Sequence, residues 1–183
     1  INELRKMIVD RKPAEYVNTL PRAYQEKISK SMGRMNHVQR QAIIKALTCQ
    51  NYMLIKGLPG TGKSHTLVNL IHILGMMGKS VLITSHTNSA VDNILLRLKE
   101  RGIKFLRLGS NARIHPSLRE FSESTLIEKC KTVEDLEMLY KSFEIVACTC
   151  LGSSHALLSQ RRFDVCVVDE ATQIFQPTVI RPL

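Results

Sequence analysis

The sequence predicts an α/β fold with a mainly parallel sheet and helices on both faces. From Tyr52 onward, short apolar runs bounded by turn residues alternate with stretches whose apolar positions recur at helical spacing. The connections between runs are ten or more residues long, which excludes hairpins and requires right-handed crossovers. A glycine-rich run, Gly57-Leu58-Pro59-Gly60-Thr61-Gly62-Lys63-Ser64, lies between the first apolar run and the first of these helices.

Taken in order, residues up to about Met35 are polar, basic and broken by Pro13 and Pro21. They read as an arm of short helical pieces, such as Arg22 to Ser31, so the expected division is an arm over 1–35 and a lobe over 36–183. Asn36 can cap a helix carrying Val38, Ala42 and Ala46 on one stripe, with Gln39, Ile43 and Leu47 beside it. Tyr52 to Ile55 is expected as the first strand, and Leu67, Leu70, Ile71 and Leu74 as the face of the next helix. Ser80 to Thr84 is the second strand, followed by a helix with Val91, Ile94, Leu95 and Leu98 on its apolar face. Lys104 to Leu108 is a short third strand. Residues 109–131 read as loop with a helical piece near Leu118 to Phe121. Thr132 and Asp135 form a capping box for a helix with Leu136, Leu139 and Tyr140. Glu144 to Cys148, a short helix over Ser153 to Ser159, and Asp164 to Val168 complete the alternation, and the last strand runs into Asp169-Glu170.

The chain has 183 residues, 44% hydrophobic and 23% charged, which favours one globular domain over a disordered chain. Apolar runs are too short to cross a bilayer, so no membrane partner is expected. The chain begins at Ile1 without a cleavable leader and is read as a fragment. Cysteines 49, 130, 148, 150 and 166 are odd in number, which argues against a disulfide framework and for a reducing compartment. Cys148 and Cys150 lack a second close pair and read as small buried hydrophobes. Lys plus Arg total 26 against 16 acids, and the first 45 residues alone hold ten basic and four acidic side chains. That excess favours a polyanion partner, although a solvated basic surface looks the same in sequence.

The glycine-rich run has the spacing of a phosphate cradle. Gly57, Gly60 and Gly62 let backbone N–H groups turn inward, and a helix starting near Lys63 aims its positive end at the same point. Thr61 completes the loop, Lys63 supplies a cation for terminal phosphates, and the Ser64 hydroxyl is a magnesium ligand. A plain Gly-Pro turn is the alternative. Asp169 and Glu170 end a buried strand, and in a phosphate-loop protein two acids there suit Mg²⁺ binding and activation of water. Acids capping a strand end would look alike in isolation, but the pairing with the cradle points to an NTPase. Strands of such sheets bind ligands beyond their carboxyl ends.

Two further groups are candidates. The amide of Gln39 can both donate to and accept from an adenine edge, and Asn36 could do the same but is as easily a helix cap. Ser85-His86-Thr87-Asn88-Ser89-Ala90 leaves a strand for a helix, and its hydroxyl, amide and N–H donors suit a phosphodiester; ordinary N-capping explains them equally well. Thr149 admits both readings.

The motifs MNHVQRQA, GLPGTGKS, SHTNSAVDNIL, ACTCLG and VVDEATQ, in this order, resemble those of superfamily 1 helicases of the five-prime-to-three-prime class, which includes the nonsense-decay helicases. The arm, together with AVDNILLRL and FLRLG, is similar to the helicase/nucleases of eukaryotic DNA replication. The resemblance covers essentially the whole chain. It implies a RecA-like P-loop NTPase lobe, incomplete because the chain stops soon after the acid-bearing (Walker B) strand, and ATP and Mg²⁺ as cofactors. Gln39 would read adenine, and Gly60 to Ser64 would hold phosphates. Asp169 and Glu170 would serve metal and water, with Gln173 as a sensor near the terminal phosphate. Ser85, Thr87, Asn88 and Thr149 would line a single-stranded DNA track. The family has Thr in many members where Ser64 stands here, and the hydroxyl is kept.

The same resemblance implies a helicase/nuclease of DNA replication and repair, located in the nucleus with the mitochondrion as a second compartment, and partnered by single-strand-binding and replication-fork proteins. An iron-sulfur cluster is implied only for a nuclease domain that this chain does not contain. The tail after Gln173 departs from the family's pattern. The strand that would sit between the phosphate-loop strand and the acid-bearing strand is missing, so these residues alone are expected to be marginally stable and unable to unwind DNA. A nucleotide-dependent binding module without turnover, and an RNA helicase of the same superfamily, are the alternatives. No Asn-Lys-x-Asp guanine motif is present, which disfavours a GTPase.

Overall fold

The computed structural model describes residues 10–20, 22–33 and 35–182. The expectations for residues 1–9, Pro21 and Arg34 of the arm lie outside the described residues. The chain forms two compact units, Ile1–Met77 and Gly78–Leu183.

In the first unit, helices α1 (Arg22–Ser31) and α2 (His37–Thr48) pack against α3 (Lys63–Met76). The arm lies along the segment after α2: Tyr16 forms an antiparallel bridge with Cys49, and Val17 N–H donates to the Thr48 carbonyl at 2.8 Å. Asn36 caps α2 as the sequence suggests. Its side chain accepts from Gln39 N–H at 2.9 Å while its own N–H donates to Gln39 Oε1 at 3.2 Å, a reciprocal box that satisfies two orphan donors. The helix behind the glycine-rich run begins at Lys63, and Val68, Leu70, Ile71, Ile73 and Leu74 are buried along it.

The expected first strand is not formed. Residues 52–58 have no ladder partner among the described residues, and Leu54 is 84% exposed. An apolar run becomes a strand only when a neighbour takes its N–H and C=O groups, and β-propensity has no force without that neighbour.

The second unit holds a four-stranded parallel sheet of β1 (Val81–Ser85), β2 (Leu106–Arg107), β3 (Ile145–Thr149) and β4 (Val165–Asp169), in the order β2-β3-β1-β4. The central strand β1 is buried throughout, whereas β4 at the edge is half-buried at Val165, Cys166 and Val168. Helix α4 (Asn88–Glu100) packs on β1 and β3 through Val91, Ile94, Leu95 and Leu98, all buried. On the opposite face, Leu82, Leu106, Val146 and Cys148 meet Leu126 of α5 (Glu123–Ile127), Tyr140 of α6 (Val133–Lys141) and Leu157 of α7 (Ala156–Gln160). Alternation of side chains along each strand produces these two faces, so helices cover the sheet on both sides. Thr132 and Asp135 form the expected capping box of α6. The 109–131 stretch holds a 3-10 turn at Pro116–Phe121 and α5, and a last short helix, α8, spans Gln176–Ile180.

Polar contacts hold this layer together. Glu123 accepts from the Tyr140 hydroxyl and from His155 Nε2 at 2.9 Å, linking α5, α6 and the cap of α7. Before β1 and β4, the Asp164 carboxylate accepts from Ser80 N–H at 2.8 Å, Ser80 Oγ at 2.9 Å and Lys79 Nζ at 3.1 Å. The Ser80 N–H, most of all, then Lys79 and the Ser80 hydroxyl, lower its pKa from 3.8 to about 2.

Those donors converge only in the folded chain, so the folded pKa lies below the unfolded one. The contribution of Asp164 to stability is therefore complete above about 3.8 and disappears as pH falls toward about 2. Asp164→Ala is expected to melt below the parent near neutral pH, with the gap closing through that acid window; a gap independent of pH in paired melting curves would refute the assignment.

Candidate functional site

The glycine-rich loop belongs to the first unit. Gly60 and Gly62 have φ of 79° and 82°, in the left-handed region that glycine tolerates. Thr61 closes a turn, its N–H and Oγ1 both donating to the Leu58 carbonyl at 3.2 and 2.7 Å. At Gly57 a Cβ would stand 3.2 Å from Thr61 Oγ1 and 3.4 Å from Lys63 Cβ, so the loop is folded closely back on itself. Helices α2, α4 and α6 each start from a side-chain cap, Asn36, Thr87 and Thr132. Helix α3 instead starts from Gly62, with no side-chain cap and no acid in its first turn. Nothing of negative sign on α3 itself offsets the positive end of this 14-residue helix. Lys63 and Ser64 open it, both half-buried.

Gln39 leans on this loop. Its Nε2 donates to the Thr61 carbonyl at 3.1 Å, and a Cβ at Gly62 would come within 2.6 Å of that nitrogen. Each of its amide atoms thus spends one bond on the protein, leaving a second hydrogen on Nε2 and a second lone pair on Oε1 for a ligand edge. The sequence placed Gln39 beside the helix cap; its contact with the loop is visible only in three dimensions.

The acid pair belongs to the second unit. Parallel register aligns Thr149, Ser85 and Asp169 as partners across β3, β1 and β4, so they share one face at the carboxyl end of the sheet. Asp169 is 8% exposed, and its carbonyl accepts from Ser85 Oγ at 2.9 Å. Glu170 leaves the strand at φ 52°, ψ 37°, a left-handed conformation that costs a non-glycine residue about 1 kcal/mol. That bend starts the 3-10 turn Ala171–Gln173, in which Gln173 is exposed.

The four strand-track candidates stand differently. Ser85 is fully buried and its hydroxyl is spent on the Asp169 carbonyl, so it supports the sheet end from within. Thr87 is the N-cap of α4, accepting from Ala90 N–H at 3.2 Å, and is exposed. Asn88 is half-buried at the first position of α4, and Thr149 Oγ1 accepts from Gly152 N–H at 3.2 Å. Burial pushes the Cys148 and Cys166 thiols up to about 12, which leaves them inert as nucleophiles at neutral pH. Among the described residues no three His, Cys, Asp or Glu side chains are grouped as metal ligands. Mg²⁺ needs no such cage, since it binds through one or two carboxylates with phosphate oxygens and water.

A protein family described as an AAA domain matches residues 34–143 and 127–183. The chain belongs to that AAA domain family. Over nearly its whole length this AAA domain is also similar to proteins named DNA replication ATP-dependent helicase/nuclease. It is 43% identical to DNA2 of Xenopus laevis over 99% of the chain, 45% to JHS1 of Arabidopsis thaliana over 100%, and 42% to DNA2 of Homo sapiens over 99%. It spans only 18%, 14% and 18% of those proteins.

One constellation escaped the sequence reading. Arg107 is fully buried on β2 of the AAA domain, paired with Asp92 on α4 at 2.9 Å. A charge inside the apolar run Phe105-Leu106-Arg107-Leu108, and another beside Val91 on an apolar helix face, were the available signal. Neither charge can be buried alone, so each implies the other.

The loop geometry separates two glycines of α3 and its cap. Gly62→Ala is expected to lower stability by about 1 kcal/mol, because it forces a left-handed alanine and displaces Gln39. Gly75→Ala, inside the helix with nothing within 4 Å, is expected to raise stability by about 0.5 kcal/mol. Thermal melts of the two variants check this, and equal responses would contradict it.

Proposed function

We propose that this chain is the ATP-binding lobe of a DNA helicase/nuclease that acts in DNA replication and repair. The observation that carries the reading is the start of α3: a left-handed glycine without a side-chain cap, followed at once by Lys63 and Ser64. Such a helix end binds a polyphosphate through its N–H groups, and the similarity to named ATP-dependent helicase/nucleases supports ATP as that ligand.

In this reading Gly57, Gly60, Thr61 and Gly62 wrap the phosphates, Lys63 pairs with the terminal ones, and Gln39 selects adenine with its remaining donor and acceptor. Ser64 and Asp169 are each proposed as residues that would serve Mg²⁺, an ion that would offset charge on the phosphates. Glu170 orients the attacking water and takes its proton, and Gln173 reports on the terminal phosphate. Thr87, Asn88 and Thr149 contact single-stranded DNA, with Ser85 supporting them from below. ATP turnover then drives movement along the strand, a task assigned to the full-length protein, in the nucleus and mitochondrion, alongside single-strand-binding and fork proteins.

ATP hydrolysis by the full-length protein tests the site. Lys63→Ala and Glu170→Gln are each expected to reduce kcat by about a hundredfold or more, with Glu170→Gln still binding nucleotide. Hydrolysis unchanged in both variants would dismiss the assignment.

A further inference from the structure

Strand β2 has two residues, and one of them is an arginine with no exposed surface. A guanidinium does not deprotonate, so burying it requires an acceptor at each side of the fork. Arg107 finds three: Nε donates to Asp92 Oδ1 at 2.9 Å, Nη1 to the Leu108 carbonyl at 2.6 Å, and Nη2 to Asn88 Oδ1 at 2.8 Å. Asp92 is 4% exposed, and its second oxygen accepts from His115 N–H at 2.8 Å, so the carboxylate is held at both ends. Asn88 and Asp92 are four apart on α4 and lie on one helix face, which lets a single guanidinium reach both.

This arrangement decides which way the Asn88 amide points. Arginine offers donors only, so the side-chain oxygen of Asn88 must face it and the amino group must lie on the other side. A DNA backbone offers phosphate oxygens, which are acceptors only. An unrestrained asparagine would present oxygen as readily as nitrogen, and oxygen against phosphate is repulsive. We infer that Arg107 and Asp92 are positioning residues for strand binding: together they lock Asn88 so that its amino group is the donor offered to the phosphodiester of single-stranded DNA. The inference rests on the strand-track reading of Asn88 and names two buried residues that make it work.

The test is made in the full-length protein, with anisotropy of a fluorescent oligodeoxythymidylate for affinity and thermal melting for the fold. Asn88→Asp keeps an oxygen for Arg107 and puts a second oxygen where the amino group was. It is expected to melt no lower than the parent while binding the oligonucleotide about tenfold more weakly or worse. The paired change Asp92→Leu with Arg107→Met removes both charges together; it is expected to melt below the parent, because the Leu108 carbonyl and the His115 N–H lose these partners, and to bind the oligonucleotide more weakly at a temperature where it is still folded, whereas parental affinity in the folded variant overturns the positioning role. If Asn88→Asp binds as tightly as a parent that does bind, Asn88 donates nothing to the strand and the positioning role is overturned, while Thr87 and Thr149 keep the strand-track reading. If Asn88→Asp melts far below the parent, the locked-amide geometry is wrong. If the parent itself does not bind the oligonucleotide, both readings fall together.

Discussion

Parallel pairing in register is the constraint on which the second unit depends. Because β3, β1 and β4 run the same way without offset, their last residues, Thr149, Ser85 and Asp169, end in one row on one face. Evenly spaced ladder bonds do not permit one strand to slip without turning its whole apolar set to the wrong side. A slip of β4 by one residue would bring Val168 beside Ser85 and turn the Asp169 carboxylate to the opposite face. The Ser85 hydroxyl, bonded to the Asp169 carbonyl, ties the two strand ends at the point where the ladder stops.

The same geometry explains where the polar interior lies. On the face of Leu82, Val146 and Cys148 the core is apolar, closed by α5, α6 and α7. On the other face, next to α4, sit Arg107 and Asp92, charges that survive burial only because each satisfies the other and the surrounding backbone supplies the remaining bonds. Removing either partner alone would strand a charge and cost about 3–5 kcal/mol. The pair therefore fixes how α4 approaches the short strand β2, and with it the position of Thr87 and Asn88 at the start of that helix.

Much of the fold was legible in sequence because its signals are local. Asn36 and Thr132 cap the helices assigned to them, since a capping box is made by residues three apart. Val91, Ile94, Leu95 and Leu98 are buried together because helical spacing alone puts them on one side. Tyr52 to Ile55 failed as a strand because a ladder is not a local property. The short third strand shrank to Leu106–Arg107 for a related reason: among the described residues it has a ladder with β3 on one side and a lone bridge from Arg107 to Ser122 besides. Gln39 was legible as a donor and acceptor, but its hold on the Thr61 carbonyl was not, since 22 positions separate the two residues.

From sequence alone came the order of the strands from Ser80 onward, the glycine-rich run from Gly57 to Ser64, the acids at 169 and 170, and the family they resemble. These follow from spacing, periodicity and chemistry carried by neighbours along the chain. The row of Thr149, Ser85 and Asp169, the inward turn of Ser85, the left-handed Glu170 and the Arg107–Asp92–Asn88 chain were decided by tertiary structure. Each depends on groups brought together from distant parts of the chain, and whether a donor is spent inside or left facing out is settled only by the partner that burial provides.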